Sequence, residues 1–441
     1  MYPKEIQNFP DDISLKPRRS FLKSLAGSAA AAAALPLWAC SEPKQSVESL
    51  TDAVAGIPAD NQAGDEVFWA KVKNQFPVKK DLIMLNAANL CPSATSVQKR
   101  VFELTQSVDS DASFTNRGQF GGQKTSACEA LAKYLGAGPE EIAITRNTSE
   151  GNNVVISGVE LGRGDEVIIW DQNHPTANIA FDVRAERYGY TVKRVATPED
   201  PSSPDDLIKP FTDAITGRTK MIAFSHVSNV SGQRIDAKKL CGIARERGIL
   251  TLVDGAQTFG CYPTALHDMD CDFFTGSSHK WFCGPKEVGV LFVRKDAIPK
   301  IHPLIVGVGY GNSVLNSAEK FETLGQRDDS RVSAMLETVK FHDTITMIRV
   351  STRIRKIADA VKSGLKEKLP DVKIVTPIEH EMSWGVVVFN VPGLDTGTAL
   401  DRLYEMNIGC AVMGGNIRYS PHIYNTLDDI NKSVDAIVQL V

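Results

Sequence analysis

The hydrophobic and polar positions of the chain follow two alternating patterns from about residue 140 onward. Short runs rich in β-branched residues predict strands at Glu141–Thr145, Glu166–Trp170, Thr191–Val195, Lys220–Ser225, Ile249–Val253, Phe273–Thr275 and Val288–Val293. Helical patterns lie between several of these runs, such as Ala237–Arg247, which ends at Gly248. This alternation predicts an α/β fold with a mostly parallel, doubly wound sheet.

The pattern changes near residue 330. A long helical stretch from Asp328 to Leu365 is followed by two strands and then two helices, at Val372–Val375, Gly385–Asn390, Thr396–Met406 and Leu427–Leu440. Such a mixture is typical of a smaller α+β domain. We therefore predict a large domain over residues 66–330 and a small C-terminal domain over residues 331–441.

Residues 1–40 have the pattern of a bacterial export signal. Arg18 and Arg19 begin the string RRSFLK, which matches the twin-arginine signal for the export of folded proteins. The apolar run Ser24–Ala39 is too short to span a bilayer. We predict passage through the twin-arginine translocase into the periplasm. Leu37–Cys40 resembles a lipobox, so a lipid anchor on Cys40 and cleavage elsewhere both stay open, and residues 41–65 have a linker composition.

Composition narrows the class of protein. The chain has 441 residues, of which 42% are hydrophobic and 23% charged, values that exclude a disordered or fibrous protein. The formal net charge of −4 argues against a general nucleic-acid binder, which needs a basic face. Eight cysteines are too few for a disulfide scaffold in a chain of this length.

Residues with chemical potential follow the predicted strands, where ligands bind in parallel sheets. Asp254 ends the strand Gly248–Val253, and a carboxylate placed there needs a partner. Lys280 lies among small polar residues just before Trp281, where desolvation would lower its pKa as an imine-forming lysine requires. Either residue alone is more often structural. Together they indicate a site for pyridoxal phosphate, with Lys280 on the aldehyde and Asp254 on the ring nitrogen.

A third strand end offers an anion site. Asn147 and Glu150 form a capping-box pattern after Ile142–Thr145, which by itself indicates only a helix N-terminus. Thr148 and Ser149 add hydroxyl groups to the free backbone N–H groups of that terminus, and a phosphate would bind there.

The strings VDGAQ, SSHKW and GP, in this order and spacing, resemble the class V aminotransferase family of pyridoxal-phosphate enzymes over about residues 80–441. That family includes cysteine desulfurases, selenocysteine lyases and isopenicillin N epimerases. The resemblance implies transferase fold type I and a homodimer. It also implies that Lys280 binds the cofactor covalently, Asp254 pairs with the ring nitrogen, and the other contacts to the ring come from His174, Asn229 and Gln257.

The same resemblance assigns the anion contacts. Thr148, Ser149, Ser277 and His279 match the phosphate-binding residues, and Arg418 matches the arginine that holds a substrate carboxylate. Arg327 is a candidate second substrate contact, and the alternative is a salt bridge with Asp328 or Asp329. No metal site is expected, since the cluster His267, Asp268, Asp270 and Cys271 lacks ligand spacing.

The reaction depends on what surrounds the shared core. Desulfurases carry a nucleophilic cysteine on a loop just before the substrate-binding arginine. Here only Cys410 is near, in an apolar segment, so sulfur transfer is disfavoured. The string FETLGQRD resembles the isopenicillin N epimerase branch, although Gln326 stands where many relatives have a threonine that reaches the partner subunit's phosphate.

The sequence thus indicates an exported pyridoxal-phosphate enzyme that acts at Cα of an amino acid or amino-terminated peptide. Epimerase-like or aminotransferase-like chemistry leads. The alternatives are periplasmic tailoring of a secreted peptide, as in maturation of the siderophore pyoverdine, a cysteine desulfurase or C–S lyase, and a binding lipoprotein without catalysis. The intact pair of Lys280 and Asp254 weighs against the last of these.

Overall fold

The structure is a computed structural model, and it describes residue 50 and residues 65–311 and 314–441. The predicted export signal, Cys40 and nearly all of the predicted linker lie outside these residues. None of the helices in this part of the chain is long and apolar enough to cross a membrane.

The strands fall into one large and two small sheets. They are β1 Ile83–Met84, β2 Ile142–Thr145, β3 Glu166–Trp170, β4 Thr191–Val195, β5 Thr219–Ser225, β6 Leu250–Asp254, β7 Phe273–Ser277, β8 Gly289–Val293, β9 Lys373–Ile374, β10 Val387–Asn390, β11 Ile408–Gly409, β12 Ala411–Met413 and β13 Asn416–Tyr419.

The α-helices of the described residues cover these sheets. They are α1 Glu66–Lys73, α2 Thr95–Ser110, α3 Phe114–Arg117, α4 Gln119–Leu135, α5 Thr148–Gly158, α6 Pro175–Tyr188, α7 Pro204–Ala214, α8 Ala237–Arg245, α9 Leu266–Met269, α10 Asp329–Ser333, α11 Met335–Ile345, α12 Met347–Lys368, α13 Thr396–Glu405 and α14 Leu427–Leu440.

The central sheet has seven strands in the order β2-β8-β7-β6-β5-β3-β4. All its pairings are parallel except those of β8, which is antiparallel to both neighbours. Helices pack on both faces, because adjacent residues of one strand point to opposite sides: Phe274 packs in the core cluster with α4, α7 and α8, whereas Phe273 packs in the cluster with α5 and α6. The prediction of a mostly parallel, doubly wound sheet is confirmed.

The C-terminal part contains a four-stranded antiparallel sheet in the order β12-β13-β10-β9, which confirms the predicted α+β character. Helix α1 shares its core, since Phe68 and Trp69 belong to the same buried cluster as Ile354 of α12 and Ile437 of α14. Strand β1 pairs in parallel with β11. Helix α1 and strand β1, which precede the large sheet in the chain, therefore pack with the C-terminal part. The domain boundary at residue 330 stays a prediction.

The helical stretch predicted from Asp328 to Leu365 is three helices, α10, α11 and α12. Ala334 separates the first two, and Thr346 separates the second from the third. Thr346 has φ of 77°, a left-handed conformation that a β-branched residue rarely adopts and that an α-helix cannot include. Sequence periodicity does not reveal this break, because a polar residue such as Thr346 is also compatible with the exposed face of a continuous helix.

Candidate active site

The candidate site lies where β6 and β7 end and α5 begins. Asp254 is the last residue of β6, and Ser277 is the last residue of β7. The two strands are parallel neighbours, with Asp254 opposite Thr275. Chain reversal after β7 then places Lys280 in the following turn. The residues predicted from three strand ends therefore share one edge of the sheet, as the parallel topology requires.

Asp254 is buried and is held by two hydrogen bonds. Its Oδ2 accepts from Asn152 Nδ2 at 2.8 Å, and its Oδ1 accepts from the backbone N of Ala256 at 3.0 Å. It forms no ion pair with any described residue. A buried carboxylate without a cationic partner is costly, so this group is suited to a cationic ligand atom such as a protonated ring nitrogen.

Asn152 is a site residue that sequence reasoning missed. It lies on α5, is buried, and its Oδ1 accepts from Thr275 Oγ1 at 2.8 Å while its amide donates to Asp254. Gly151 allows this approach, because a Cβ on it would lie 2.9 Å from Thr275 Cγ2. The only signal in the sequence is an amide side chain on the apolar face of a helix.

Lys280 lies in the turn after β7, with its backbone O accepting from Cys283 N at 2.9 Å. Burial lowers the pKa of its amine below the ordinary 10.5, the Asp254 carboxylate opposes the shift, and the Arg418 guanidinium adds to it. The predicted desolvation of Lys280 is confirmed. A lowered pKa increases the fraction of neutral, nucleophilic amine at neutral pH.

Thr148 and Ser277 form the centre of the predicted anion site. The backbone N of Thr148 donates to Ser277 Oγ at 2.8 Å, and the two hydroxyl oxygens are 2.7 Å apart. Asn147 caps α5 by accepting from Glu150 N at 3.0 Å. Two hydroxyl groups at the N-terminus of an eleven-residue helix are well suited to bind a phosphate.

Ser149 and His174 are joined through Thr176. Ser149 Oγ lies 3.3 Å from Thr176 Oγ1, which is 2.8 Å from His174 Nδ1. His174 is the N-cap residue of α6, and its side chain accepts from Thr176 N; its contact with a cofactor ring stays a prediction. Burial and the Lys280 charge lower the pKa of His174, while Asp254 raises it, so the ring is neutral and lies within electrostatic range of both groups.

His279 lies next to Lys280 and is partly buried. Burial, followed by the charges of Lys280 and Lys286, lowers the pKa of His279 to about 4. It is therefore neutral at physiological pH. Its backbone O accepts from Cys91 N at 2.7 Å, and its contact with a phosphate stays a prediction.

Arg418 on β13 is 4% exposed and therefore buried. Its Nη1 donates to Asn229 O at 3.1 Å, and its Nη2 donates to Asn86 Oδ1 at 3.0 Å. Its Nε is buried without a hydrogen-bond partner, and Arg418 forms no ion pair within the described chain. Burial lowers the pKa of Arg418 to about 10. A buried guanidinium of this kind is suited to a ligand carboxylate.

Asn86, Asn229 and Gln257 have observed structural contacts. Asn86 was missed by sequence reasoning, and Asn229 supplies its backbone carbonyl to Arg418. Gln257 Nε2 donates to Ala88 O at 3.0 Å, and its Oε1 accepts from Trp281 Nε1 at 2.7 Å. Gln257 thus joins the segment after β1 to the turn that bears Lys280. Contacts of Asn229 and Gln257 with a cofactor ring stay predictions.

Arg327 makes its hydrogen bond and its ion pair with residues other than Lys280, Asp254 and Arg418. Its Nη1 donates to Ile144 O at 2.7 Å and lies 3.9 Å from Glu322 Oε2. It lines a cavity of about 220 Å³ whose other charged members include Arg117 and Lys124. The alternative salt bridge is wrong: Asp328 pairs with Arg331, and Asp329 pairs with Arg117.

Cys410 and the acidic cluster near residue 270 behave as structural groups. Burial raises the pKa of Cys410 to about 12, so it is a thiol and not a nucleophilic thiolate. Three members of the cluster form contacts with other residues of the same chain. His267 contacts Glu141, Asp268 contacts Lys238, and Asp270 contacts Arg245 and Arg294.

These donors together fit pyridoxal phosphate. The hydroxyl-lined N-terminus of α5 suits its phosphate, the unpaired Asp254 carboxylate suits its ring nitrogen, and the desolvated amine of Lys280 suits its aldehyde carbon. Arg418, a buried guanidinium with no ion pair among the described residues and close enough to affect the pKa of Lys280, suits a substrate carboxylate.

Comparisons of the sequence with known proteins agree with this site. Residues 94–432 match the aminotransferase class-V family. The isopenicillin N epimerase of Amycolatopsis lactamdurans is 30% identical over 393 residues, which is 84% of this chain and 98% of the relative. A cysteine desulfurase of Haloferax volcanii is 28% identical over 337 residues, or 70% of this chain and 77% of the relative.

Solved structures share the fold. A cysteine desulfurase from Thermococcus onnurineus NA1 has a TM-score of 0.76 at 23% identity, covering 84% of this chain and 97% of its own. The cystine C–S lyase C-DES, solved with cysteine persulfide, has a TM-score of 0.76 at 21% identity, covering 83% of this chain and 100% of its own. Fold type I is thus confirmed. The chain belongs to the class V aminotransferase family, and it is a pyridoxal-phosphate-dependent enzyme of the epimerase-like or cysteine-desulfurase-like kind.

Proposed function

We propose that this enzyme labilises a bond at Cα of an amino acid or amino-terminated peptide, with an epimerase-like or aminotransferase-like outcome. The observation that carries the proposal is Arg418, a buried guanidinium with a free Nε and no ion pair among the described residues, near Lys280 and Asp254. A substrate with both an amine and a carboxylate satisfies Lys280 and Arg418 together.

Pyridoxal phosphate, when bound, supplies an electron sink for the bond that breaks at Cα. The residues of the chain would do the rest. Asp254, oriented by Asn152, would hold the proton on the ring nitrogen. Arg418 would orient the substrate through its carboxylate. The amine of Lys280, with its lowered pKa, would accept the proton released from Cα.

Sulfur transfer is the less favoured outcome. The Cys410 thiol has a pKa raised to about 12, and the hairpin Met413–Asn416 that leads to Arg418 contains no cysteine. An aminotransferase or epimerase needs no such thiol, since neither reaction breaks a bond to sulfur.

We propose in addition that the enzyme acts after export, on a secreted peptide such as a siderophore precursor. Support comes from Arg18, Arg19 and the short apolar run after them. Replacing both arginines by lysine should retain the full-length precursor in the cytoplasm, as cell fractionation would show. A Cys40→Ala variant that leaves the membrane fraction would support a lipid anchor, whereas unchanged partition into detergent would contradict it.

A homodimer is also proposed. The loop after β8 contains an exposed apolar run, formed by Leu304, Ile305, Val306 and Val308. Elsewhere in the sequence, Phe114 is 91% exposed. A contiguous exposed apolar patch is typical of an association surface. Light scattering should give twice the mass of the chain, and a monomeric mass would contradict the dimer.

Two experiments test the function: the first measures covalent attachment of the cofactor to Lys280, and the second follows the chemical change at Cα of the substrate. Wild-type protein with pyridoxal phosphate should be yellow, and borohydride should fix the cofactor to the peptide with Lys280. Lys280→Ala should lose both properties, whereas Lys295→Ala, a change at an exposed lysine, should keep them. A colourless wild type after reconstitution would overturn the proposal.

The reaction is then distinguished with amino acids and short peptides in deuterated water. Deuterium at an inverted Cα supports epimerisation, and conversion of the cofactor to its amine form supports transamination. Release of sulfide from cysteine would overturn the preference for these two reactions and favour the desulfurase alternative.

A further inference from the structure

A buried group of sulfur and ring atoms lies beside the turn that bears Lys280. The Sγ atoms of Cys91 and Cys283 and a ring nitrogen of His422 all lie within 4.8 Å of one another. Cys91 Sγ is also 3.5 Å from Tyr424 Oη. We call Cys91, Cys283 and His422 the thiol cluster. None of these three residues has a role in the proposed reaction.

The hydrogen bonds of His422 decide what the thiol cluster can bind. Its Nδ1 accepts from the backbone N of Ile423 at 2.6 Å, so the single proton of the neutral ring is on Nε2. Burial lowers the pKa of His422 to about 3, which keeps the ring neutral. Nε2 then donates to Trp281 O at 2.8 Å.

This tautomer argues against a metal site. A metal-binding histidine coordinates through one nitrogen and donates the N–H of the other, whereas here the nitrogen near the thiols carries the proton and the other accepts. Zinc would therefore have two thiolates and no imidazole lone pair, too few ligands for a closed site. What remains available is the pair of thiols.

Both cysteines are already tied to the turn of the catalytic lysine. Cys91 N donates to His279 O at 2.7 Å, and Cys283 N donates to Lys280 O at 2.9 Å. Cys283 has φ of 51°, a left-handed backbone conformation that residues other than glycine rarely adopt. The two thiols thus come from segments held on consecutive residues of one turn.

We propose that Cys91 and Cys283 form a disulfide under oxidising conditions, and that this bond fastens the segment after β1 to the turn bearing Lys280. The two thiols lose two protons and two electrons as the S–S bond forms. A low-molecular-weight disulfide such as oxidised glutathione accepts them, and its own S–S bond breaks to give two thiols through a mixed disulfide. The proposal does not depend on which reaction the enzyme catalyses.

Burial determines when the bond forms. Cys91 and Cys283 are 1% and 0% exposed, and burial raises the pKa of Cys283 well above its usual value. Thiol–disulfide exchange needs an accessible thiolate, so a chain that has folded in a reducing compartment before export is oxidised slowly, whereas a chain that folds under oxidising conditions forms the bond fast. Once formed, the bond is shielded from reductants in the same way.

The test uses the full chain, unfolded in denaturant and refolded either with reduced and oxidised glutathione or with reductant alone. Free thiols are then alkylated under denaturing conditions, and the digest is analysed by mass spectrometry. The redox-refolded sample should contain a cross-linked peptide pair with Cys91 and Cys283. Cys241 and Cys271, which are also buried, serve as an internal control and should be alkylated. Full alkylation of Cys91 and Cys283 in both samples would overturn the proposal.

A second measurement does not depend on the digest. The oxidised protein should unfold at a temperature higher by at least about 2 °C than the reduced protein. Cys91→Ser and Cys283→Ala should each abolish that difference, and Cys241→Ser should preserve it. Should a variant not fold, the wild-type peptide map still decides. Tight binding of one equivalent of zinc that is lost in Cys91→Ser would contradict the assigned tautomer and the proposal with it.

Discussion

Asn152 donates its side-chain amide to Asp254 at 2.8 Å, and this bond sets the orientation of the carboxylate with which β6 ends. The same Asn152 accepts from Thr275 on β7, so a single helical side chain holds two neighbouring strand ends. A neutral amide orients the carboxylate without forming an ion pair with it, so the carboxylate can still pair with a cationic ligand atom.

Removing this amide should weaken both the fold and the cofactor site. Asn152→Ala leaves the Asp254 and Thr275 oxygens without their partner, and an unsatisfied buried polar group costs about 1–3 kcal/mol. We expect the free energy of unfolding to fall by that amount and pyridoxal phosphate to dissociate faster. Urea unfolding and loss of the bound cofactor's absorbance measure the two effects.

The matched control for that change is its neighbour. Asn153 donates to Ser149 O on its own helix at 2.9 Å and does not contact Asp254. Asn153→Ala should lower stability less and leave cofactor dissociation unchanged. Equal effects of the two substitutions on stability and cofactor dissociation would show that Asn152 contributes only to the stability of helix α5.

Arg418 should determine affinity for the substrate carboxylate. Arg418→Lys keeps the charge but loses the planar fork and the free Nε, so kcat/KM should fall about 10–100-fold, mostly through KM. For substrates whose carboxylate is amidated, kcat/KM should be similar in wild type and Arg418→Lys. Asn86→Ala should have a smaller effect in the same direction, because it removes one of the two contacts that orient Arg418. An unchanged KM in Arg418→Lys would contradict the assigned role.

Helix α1 should depend on an ion pair with α12. The carboxylate of Glu66 accepts from both terminal nitrogens of Arg353, whose side chain is fully buried, and it also accepts from Leu427 N at 3.0 Å. Because the Glu66 side chain is 37% exposed and partly screened, we expect Glu66→Ala to cost about 1–3 kcal/mol. Denaturant unfolding measures this, with Glu405→Ala at the exposed end of α13 as the comparison.

The contribution of Glu66 should depend on pH. Burial raises its pKa, but hydrogen bonds from Arg353 and Leu427 outweigh burial and hold the pKa below the ordinary 4.5. The folded state therefore binds fewer protons than the unfolded state, and the stabilisation is present above pH 4.5 and lost as the pH falls through the folded pKa. The difference in thermal midpoint between wild type and Glu66→Ala should shrink in acid. A constant difference would contradict the ion pair.

Lys362 should make stability depend on pH in a second window, at alkaline pH. Its Nζ donates to Pro377 O at 2.7 Å and to Ser383 Oγ at 3.0 Å, and burial lowers its pKa to about 8 although Asp359 and Glu379 oppose the shift. Between pH 8 and 10.5 the unfolded chain keeps a proton that the folded chain has lost, so stability rises with pH in this window.

The comparison variant for this prediction is Lys362→Met, which removes the titrating group. Denaturation at several pH values should show the wild type gaining stability relative to Lys362→Met from pH 8 to 10.5. A parallel response of the two proteins would mean that Lys362 titrates normally.

Much of the architecture followed from local pattern. Glu166–Trp170, Thr191–Val195 and Leu427–Leu440 form the predicted elements with the predicted ends. Glu166–Trp170 is buried along its length, and buried strands of a parallel sheet are apolar on both faces. Leu427–Leu440 begins after Thr426, whose side chain caps the helix. Asp254 and Lys280 stood out for a related reason, as charged residues directly after such strands.

The partners of those residues were not predictable from the chain alone. Asn152 lies 102 positions before Asp254, and Asn86 lies 332 positions before Arg418. A neutral amide has no distinctive pattern in a sequence, and its hydrogen bond depends on the angle at which a helix or loop packs on the sheet.

By itself the sequence determined the order of strands and helices, the pair Lys280 and Asp254, and the family, because hydrophobic periodicity and short motifs are local properties. The tertiary structure decided which groups stay unpaired, such as the Nε of Arg418, and which meet, such as Cys91 and Cys283. It also placed Arg327 on Ile144 and Glu322 instead of its acidic neighbours. Burial and pairing are set by contacts between distant segments, and only packing brings those segments together.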